Sequence, residues 1–288
     1  MNNSKKITIQ LANKKLTALE WHSEQTPIIL ALHGWLDNAA SFAHLAPFIS
    51  GYRFIALDLL GHGESDSLAE SDDFGLLSAA ELIKDVITQL TQDKVILLGH
   101  SIGATIASMV AATYPQCVEK LIMVDAFGPL TIEVSNTHLP LKIAVAAFKA
   151  SEQRGEKIYS SPEEMLQSRA KVTQLTESQI RPLVTRAIQV VESGYCWAHD
   201  PKLTLASMMP FNEAHVKKIL FQLAAPTLVV EASQGLICQA KVLEERKPLI
   251  AHLRYVTLQG GHHLHLSHPA EVAQVMNDFL ESESCHRV

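Results

Sequence analysis

Apolar and polar positions along the chain follow two distinct periods. Ile7, Ile9 and Leu11 alternate with polar residues, and Leu16, Ala18 and a terminal Trp21 follow the Asn13-Lys14-Lys15 turn. Period-two alternation on both sides of a polar turn predicts a hairpin at a sheet edge. The other predicted strands are continuous apolar runs, the kind buried on both faces of a parallel sheet. They run from Ile28 to Leu32, Tyr52 to Leu57, Val95 to Leu98, Glu119 to Val124, Thr227 to Val230 and Leu253 to Leu258. Helical spacing marks Ser41 to Ile49, about Ser78 to Leu90, the small residues after Ser101 as far as Tyr114, Gln239 to Ile250, and Pro269 to Glu281. Ser78 and Glu81 have the spacing of a capping box. Strand and helix in alternation specify an α/β fold: a mostly parallel sheet with right-handed crossovers and helices on both faces.

From Pro129 to about Val216 this rhythm is replaced by helical stretches, Leu141 to Ala150, Pro162 to Leu175 and Ser178 to Glu192, with no buried strand. The segment is too apolar and too periodic for disorder. It is expected to be a helical cap, or lid, inserted after the sixth strand and lying over the C-terminal edge of the sheet. The domain expectation is therefore a core of residues 1–128 and 217–288 with a cap of residues 129–216.

Composition narrows the function classes. At 288 residues, 47% hydrophobic and 19% charged, the chain can bury a full core. A net charge of -6 without a dense Lys/Arg block recommends neither a nucleic acid nor an anionic membrane as partner. No apolar run approaches the ~20 residues that span a bilayer, and the N-terminus lacks the apolar core of a signal peptide. Cys117, Cys196, Cys238 and Cys285 lie far apart with no C-x-x-C pair, which argues against a disulfide framework and a zinc site. A cytoplasmic protein is expected. Nothing in the pattern specifies its oligomeric state.

The chemistry is concentrated after the Val95 run. Gly99-His100-Ser101-Ile102-Gly103 has the G-x-S-x-G pattern between an apolar strand and a run of helix formers, the context of a nucleophile elbow. The two glycines clear space around a serine on a sharp corner. Ser101 then sits at a helix N-terminus, where unpaired N–H groups and the helix dipole favour developing negative charge. The loop from Asp58 to Ser65, with His62, is polar and glycine-punctuated, and no chemistry is assigned to it. His262, His263, His265 and His268 form a cluster, but a metal site would need cysteine or carboxylate ligands that are absent nearby. Phe148, Trp197, Met208, Met209 and Phe211 lie in or near the expected cap, and at helical spacing such residues are more often core than acyl pocket.

With these pieces in order, the chain resembles proteins of the α/β-hydrolase fold over nearly its whole length. His33-Gly34-Trp35 is similar to the family's oxyanion-hole loop, Gly99 to Gly103 to its elbow, and Gly261-His262 with Leu266 and Pro269 to its catalytic-histidine loop. His33-Gly34-Trp35-Leu36-Asp37-Asn38 and Gly260-Gly261-His262-His263-Leu264-His265-Leu266 look most like the serine-hydrolase-like proteins. The resemblance implies Ser101 as nucleophile, His262 as general base and acid, and the backbone N–H groups of Trp35 and Ile102 as oxyanion hole. His33 and Asp37 are expected to brace the oxyanion loop. A serine at the elbow argues against haloalkane dehalogenase and epoxide hydrolase chemistry, where relatives use aspartate. The third triad member is open. Counting from Pro226, the family's usual aspartate falls at Gly235, which leaves Asp125 at the end of the preceding strand, Glu231, or no working acid. The expected activity is that of a serine esterase needing no cofactor or metal, acting on a small-molecule ester. The alternatives are a ligand-binding or receptor-like protein with weak turnover, or perhydrolase or haloperoxidase chemistry with the same triad.

Overall fold

The computed structural model describes residues 4–69, 75–131, 157–204, 211–237 and 242–282. The predicted hairpin forms from β1 (Lys5–Gln10) and β2 (Lys15–Trp21), antiparallel to each other. It continues through β4 (Arg53–Leu57), β3 (Ile28–Leu32), β5 (Val95–His100), β6 (Val118–Val124), β9 (Thr227–Gln234) and β10 (Leu253–Gly261) into one eight-stranded sheet. Its order is β1-β2-β4-β3-β5-β6-β9-β10, parallel from β4 to β10.

The apolar runs are continuous because successive side chains feed opposite cores. Leu30 and Leu32 of β3 face α1 (Leu76–Leu90) and α2 (Ile102–Thr113), in a core shared with Ile83, Val110 and Leu220. Ile29 and Ala31 face Phe42, Leu45, Met276 and Phe279. Complete burial of a Leu or Ile side chain stabilises by about 2 kcal/mol, so the sheet's strand register cannot slip cheaply. After β3 the chain steps outward to β4, then returns to the other side of β3 as β5. This reversal opens a crevice at the C-terminal ends of β3 and β5, the location that open α/β sheets use for ligands.

Several expected elements differ in detail. In place of one helix from Ser41 to Ile49 the chain forms two 3-10 turns, Ala39–Phe42 and Ala46–Phe48, because Pro47, in the first turn of the second, has no N–H with which to continue a helix from the first. Helix α1 begins two residues early, with Gly75 as N-cap and no Ser78–Glu81 capping box, because Leu76 packs against the core. The stretch from Gln239 to Ile250 is a short helix, α6 (Val242–Arg246), and a 3-10 turn, Lys247–Leu249, within the described residues.

The segment between β6 and β9 contains α3 (Pro162–Thr173), α4 (Glu177–Arg186), a 3-10 turn Pro201–Thr204 and α5 (Glu213–Phe221). It also holds a β-hairpin, β7 (Ile188–Val191) and β8 (Gly194–Trp197), where helix had been expected to Glu192. Ile-Gln-Val-Val is rich in β-branched residues, and Gly194 takes the positive φ that the turn requires. Tyr159, Met165, Leu166, Ile180, Leu183 and Val184 give this insertion a small core of its own. The expected helix from Leu141 to Ala150 lies outside the described residues. Among the described residues, no helix is long and apolar enough to cross a membrane. The last two helices are α7 (Leu264–Ser267) and α8 (Pro269–Glu281).

Candidate active site

Ser101 stands between the last residue of β5 and the first of α2, at φ 54° and ψ -120°. A positive φ is unfavourable for serine by about 1 kcal/mol or more and persists only where the surroundings impose it. The surroundings here are tight. A Cβ at position 99 would overlap the backbone of Ala104, and one at position 103 would overlap the Leu32 carbonyl. The glycines thus let α2 start hard against β5 and β3. The Ser101 N–H is taken by the Val124 carbonyl at 3.1 Å, whereas Ile102 opens α2, where an N–H has no partner within the helix.

Asp125 follows β6 and also has positive φ, 46°. Its fully buried carboxylate accepts the N–H groups of Ala232 at 3.2 Å and Leu236 at 2.9 Å, and meets Nδ1 of His262 at 2.5 Å. A carboxylate only accepts, so His262 carries its proton on Nδ1 and leaves Nε2 as the basic nitrogen. Glu231 is elsewhere. Strand β9 runs on to Gln234, so Glu231 lies inside the sheet in register with Thr257, whose hydroxyl donates to it at 2.6 Å. At Gly235, where relatives would place the acid, a Cβ would overlap the Asp125 carboxylate. Asp125 therefore occupies the space that an acid at 235 would need.

The loop after β3 is held by its own residues and by distant ones. Buried His33 donates from Nδ1 to the Gly34 carbonyl at 2.7 Å and accepts the Leu59 N–H at Nε2, 3.0 Å away. Leu36 has φ 57°, and its N–H reaches Nε2 of His62 at 3.3 Å. Trp35 is half exposed, with its indole N–H donated to the Leu203 carbonyl at 2.8 Å. Asp37 pairs with Arg169 of α3. Asp58 accepts Thr17, the N–H groups of Ala39 and Glu64, and Arg186 of α4, so that loop braces the site's surroundings.

Four imidazoles crowd the elbow. His100 lies ring against ring with His262, His263 and His265, at centroid separations of 4.6, 5.3 and 4.1 Å. Its Nε2 donates to the His262 carbonyl at 2.9 Å, which fastens the histidine turn to the residue before Ser101. Burial pushes His100 and His265 well below the ordinary histidine range, and each imidazole's neighbours add to the effect. Burial also lowers His33 and brings His62 down to about 3. For His263 burial again dominates, although the Asp37 charge pulls the other way. Burial would raise the Asp37 carboxyl, but the Arg169 guanidinium and nearby imidazoles hold it below the ordinary carboxylate range.

Sequence reasoning missed His100, which occupies a variable position of the elbow pattern, and Arg169, which reads as a surface residue of an amphipathic helix. Trp197 belongs to the insertion's own core, where its indole donates to the Tyr159 hydroxyl at 3.1 Å. Phe211 packs against the sheet's core. Phe148, Met208 and Met209 lie outside the described residues.

A family model described as the alpha/beta hydrolase fold matches residues 27–269. A serine hydrolase-like protein of Danio rerio is 27% identical over 277 residues, covering 92% of this chain and 84% of its own. Serine hydrolase-like protein 2 of Homo sapiens is 27% identical over 286 residues, covering 92% and 90%. Among solved structures, a hypothetical protein of Pseudomonas aeruginosa PAO1 superposes with a TM-score of 0.89 at 31% identity, covering 96% of this chain and all of its own.

Proposed function

The chain belongs to the alpha/beta hydrolase fold family, and from that premise we propose that it is a cofactor-independent serine hydrolase cleaving carboxylic esters of small to medium acyl groups. Similarity to serine hydrolase-like proteins supports hydrolase activity. The observation that carries the finer reading is the 2.5 Å contact between His262 Nδ1 and Asp125, on a turn whose His262 carbonyl is bonded by His100, the residue before a serine held at positive φ.

In this reading Ser101 Oγ attacks the ester carbonyl carbon while its proton passes to Nε2 of His262. Asp125 keeps the imidazole in that tautomer and stabilises the imidazolium that forms. The N–H groups of Ile102 and Trp35 receive the oxyanion. His262 then protonates the departing alcohol oxygen, and the C–O bond breaks to leave the acyl group on Ser101. Water enters, loses a proton to His262 Nε2, and attacks the acyl carbon. The Ser101–acyl bond breaks, the proton returns to Oγ, and the acid leaves. The insertion between β6 and β9 serves as the cap over this site. In this reading Gly235 leaves the space in which the Asp125 carboxylate sits.

Intact mass after treatment with a fluorophosphonate, alongside p-nitrophenyl ester kinetics, tests the assignment. Wild type is expected to gain one adduct, and Ser101→Ala none. Asp125→Asn should lower kcat by about 10³- to 10⁴-fold, as loss of the tautomer-setting acid does elsewhere, and Glu231→Gln should stay within a few-fold of wild type. A folded wild type that neither labels nor turns over esters overturns the reading in favour of a binding protein.

A further inference from the structure

The loop from His33 to His44 is fastened to the insertion along its length. The Trp35 indole donates to the Leu203 carbonyl at 2.8 Å, Asn38 Nδ2 to the Leu183 carbonyl at 2.9 Å, and His44 Nε2 to the Gln179 carbonyl at 3.0 Å. The Asp37 carboxylate, 1% exposed, pairs with the Arg169 guanidinium, 18% exposed. These contacts bracket Leu36, a branched residue at φ 57°. Such a conformation is retained only when neighbouring structure over-determines it. The core that α3 and α4 build is separate from the cores on the two faces of the sheet. Polar contacts to this loop are thus a principal join between the insertion and the side of the site that holds Trp35.

Asp37 reaches the other side as well. Its Oδ2 accepts the Ser41 hydroxyl at 3.4 Å and lies 3.9 Å from Nε2 of His263. Ser41 in turn meets Nε2 of His265 at 2.8 Å. One buried carboxylate therefore connects an insertion helix, the loop bearing Trp35 and the turn bearing His262. We propose that Arg169 is a positioning residue: by pairing with Asp37 it holds the strained turn that aims the Trp35 N–H, and it fixes that turn against the histidine loop, so that docking of the insertion and assembly of the oxyanion hole are one event. This rests on the serine-hydrolase reading.

Arg169 also determines what Asp37 does to His263. With the guanidinium in place the carboxylate is compensated. Without it, the nearest groups are His263 and, through Ser41, His265, while His262, His100 and Asp125 also face His263. The His263 imidazole then gains an unshielded anion and loses a repelling cation, so its titration moves to higher pH.

The test compares wild type with Arg169→Met, Arg169→Lys and the neutral pair Asp37→Asn/Arg169→Met. Readouts are ester kinetics, affinity for a trifluoromethyl ketone, and imidazole titration by NMR. The ketone forms an anionic hemiketal with Ser101 Oγ as the serine proton passes to His262, so its affinity reports the oxyanion hole. Expected for Arg169→Met are a kcat lower by about 10²-fold, comparable to losing one oxyanion donor, little change in KM, and a parallel loss of ketone affinity. Its His263 titration should rise, and Arg169→Lys should recover to within about tenfold of wild type. The neutral pair removes the buried charge problem and should fold, yet it should stay slow because the join is gone. Wild-type kcat in Arg169→Met or in the neutral pair overturns the inference, as does a kcat loss with ketone affinity unchanged. Those results leave the hydrolase reading standing, whereas a wild type that fails to label with fluorophosphonate overturns both.

Discussion

A Cβ at position 235 would overlap the carboxylate of Asp125, so the glycine and the aspartate form a single arrangement. The carboxylate needs that space to accept the N–H groups of Ala232 and Leu236 while it faces His262. Gly235→Ala is accordingly expected to displace Asp125 and, with Asp125 as the proposed triad acid, to lower kcat by about 10²-fold, the scale of an ångström-level misplacement. Steady-state ester kinetics would check this, and KM should change much less than kcat. Asp125 was legible in sequence only as one of two carboxylates at strand ends, because both follow buried apolar runs. What separates them is strand length: β9 continues to Gln234 and keeps Glu231 within the ladder opposite Thr257.

At the scale of elements, β5 and α2 depend on close backbone approach. Gly103→Ala would place a methyl against the Leu32 and His33 carbonyls, backbone atoms that cannot move aside without shifting β3. A loss of stability of about 2–4 kcal/mol is expected, in the range of severe steric or buried polar defects, measurable by urea unfolding. Helix α8 is tied down differently. Lys120, on β6, donates to the carbonyls of Phe279, Leu280 and Ser282 at 3.2, 2.8 and 3.1 Å, supplying donors to a helix end that has no intrahelical ones. Lys120→Met should cost about 1–3 kcal/mol, the worth of hydrogen bonds to a charged group, with kcat unchanged because the residue lies far from Ser101 in the sheet register. The elements were well marked by periodicity, and α8 matches its predicted span. The β7–β8 hairpin was not, because four-residue strands are too short to separate from a helical pattern by period alone.

Across the whole molecule, buried imidazoles couple folding to acidity. His33, His62, His100 and His265 are each held below the ordinary histidine range by burial. Below a pH of roughly 6.5 the unfolded chain takes up protons on these residues that the folded chain does not, so stability is greatest above that pH and falls as pH drops toward the folded values. Each contributes a slope of about 1 kcal/mol per pH unit in that window. Thermal unfolding between pH 7.5 and 5 should show Tm falling steadily with acidity. A flat profile would mean that these imidazoles stay solvated.

The strands of the main sheet, the sharp turn around Ser101 and the resemblance to a hydrolase family were legible in the sequence alone. The strands and the turn depend on residues within a few positions of one another, through side-chain period or local steric clearance, and the resemblance on three such local motifs in order. The contact of Asp125 with His262, the pairing of Glu231 with Thr257, and the ties from Arg169, Leu183 and Leu203 to the Trp35 loop come only from tertiary structure. Asp125 and His262 lie 137 positions apart, and Arg169 and Asp37 lie 132 apart. Pairings at such separations are set by sheet register and by where the insertion docks. A periodic pattern specifies which face of an element is buried, but it does not specify which distant element meets that face.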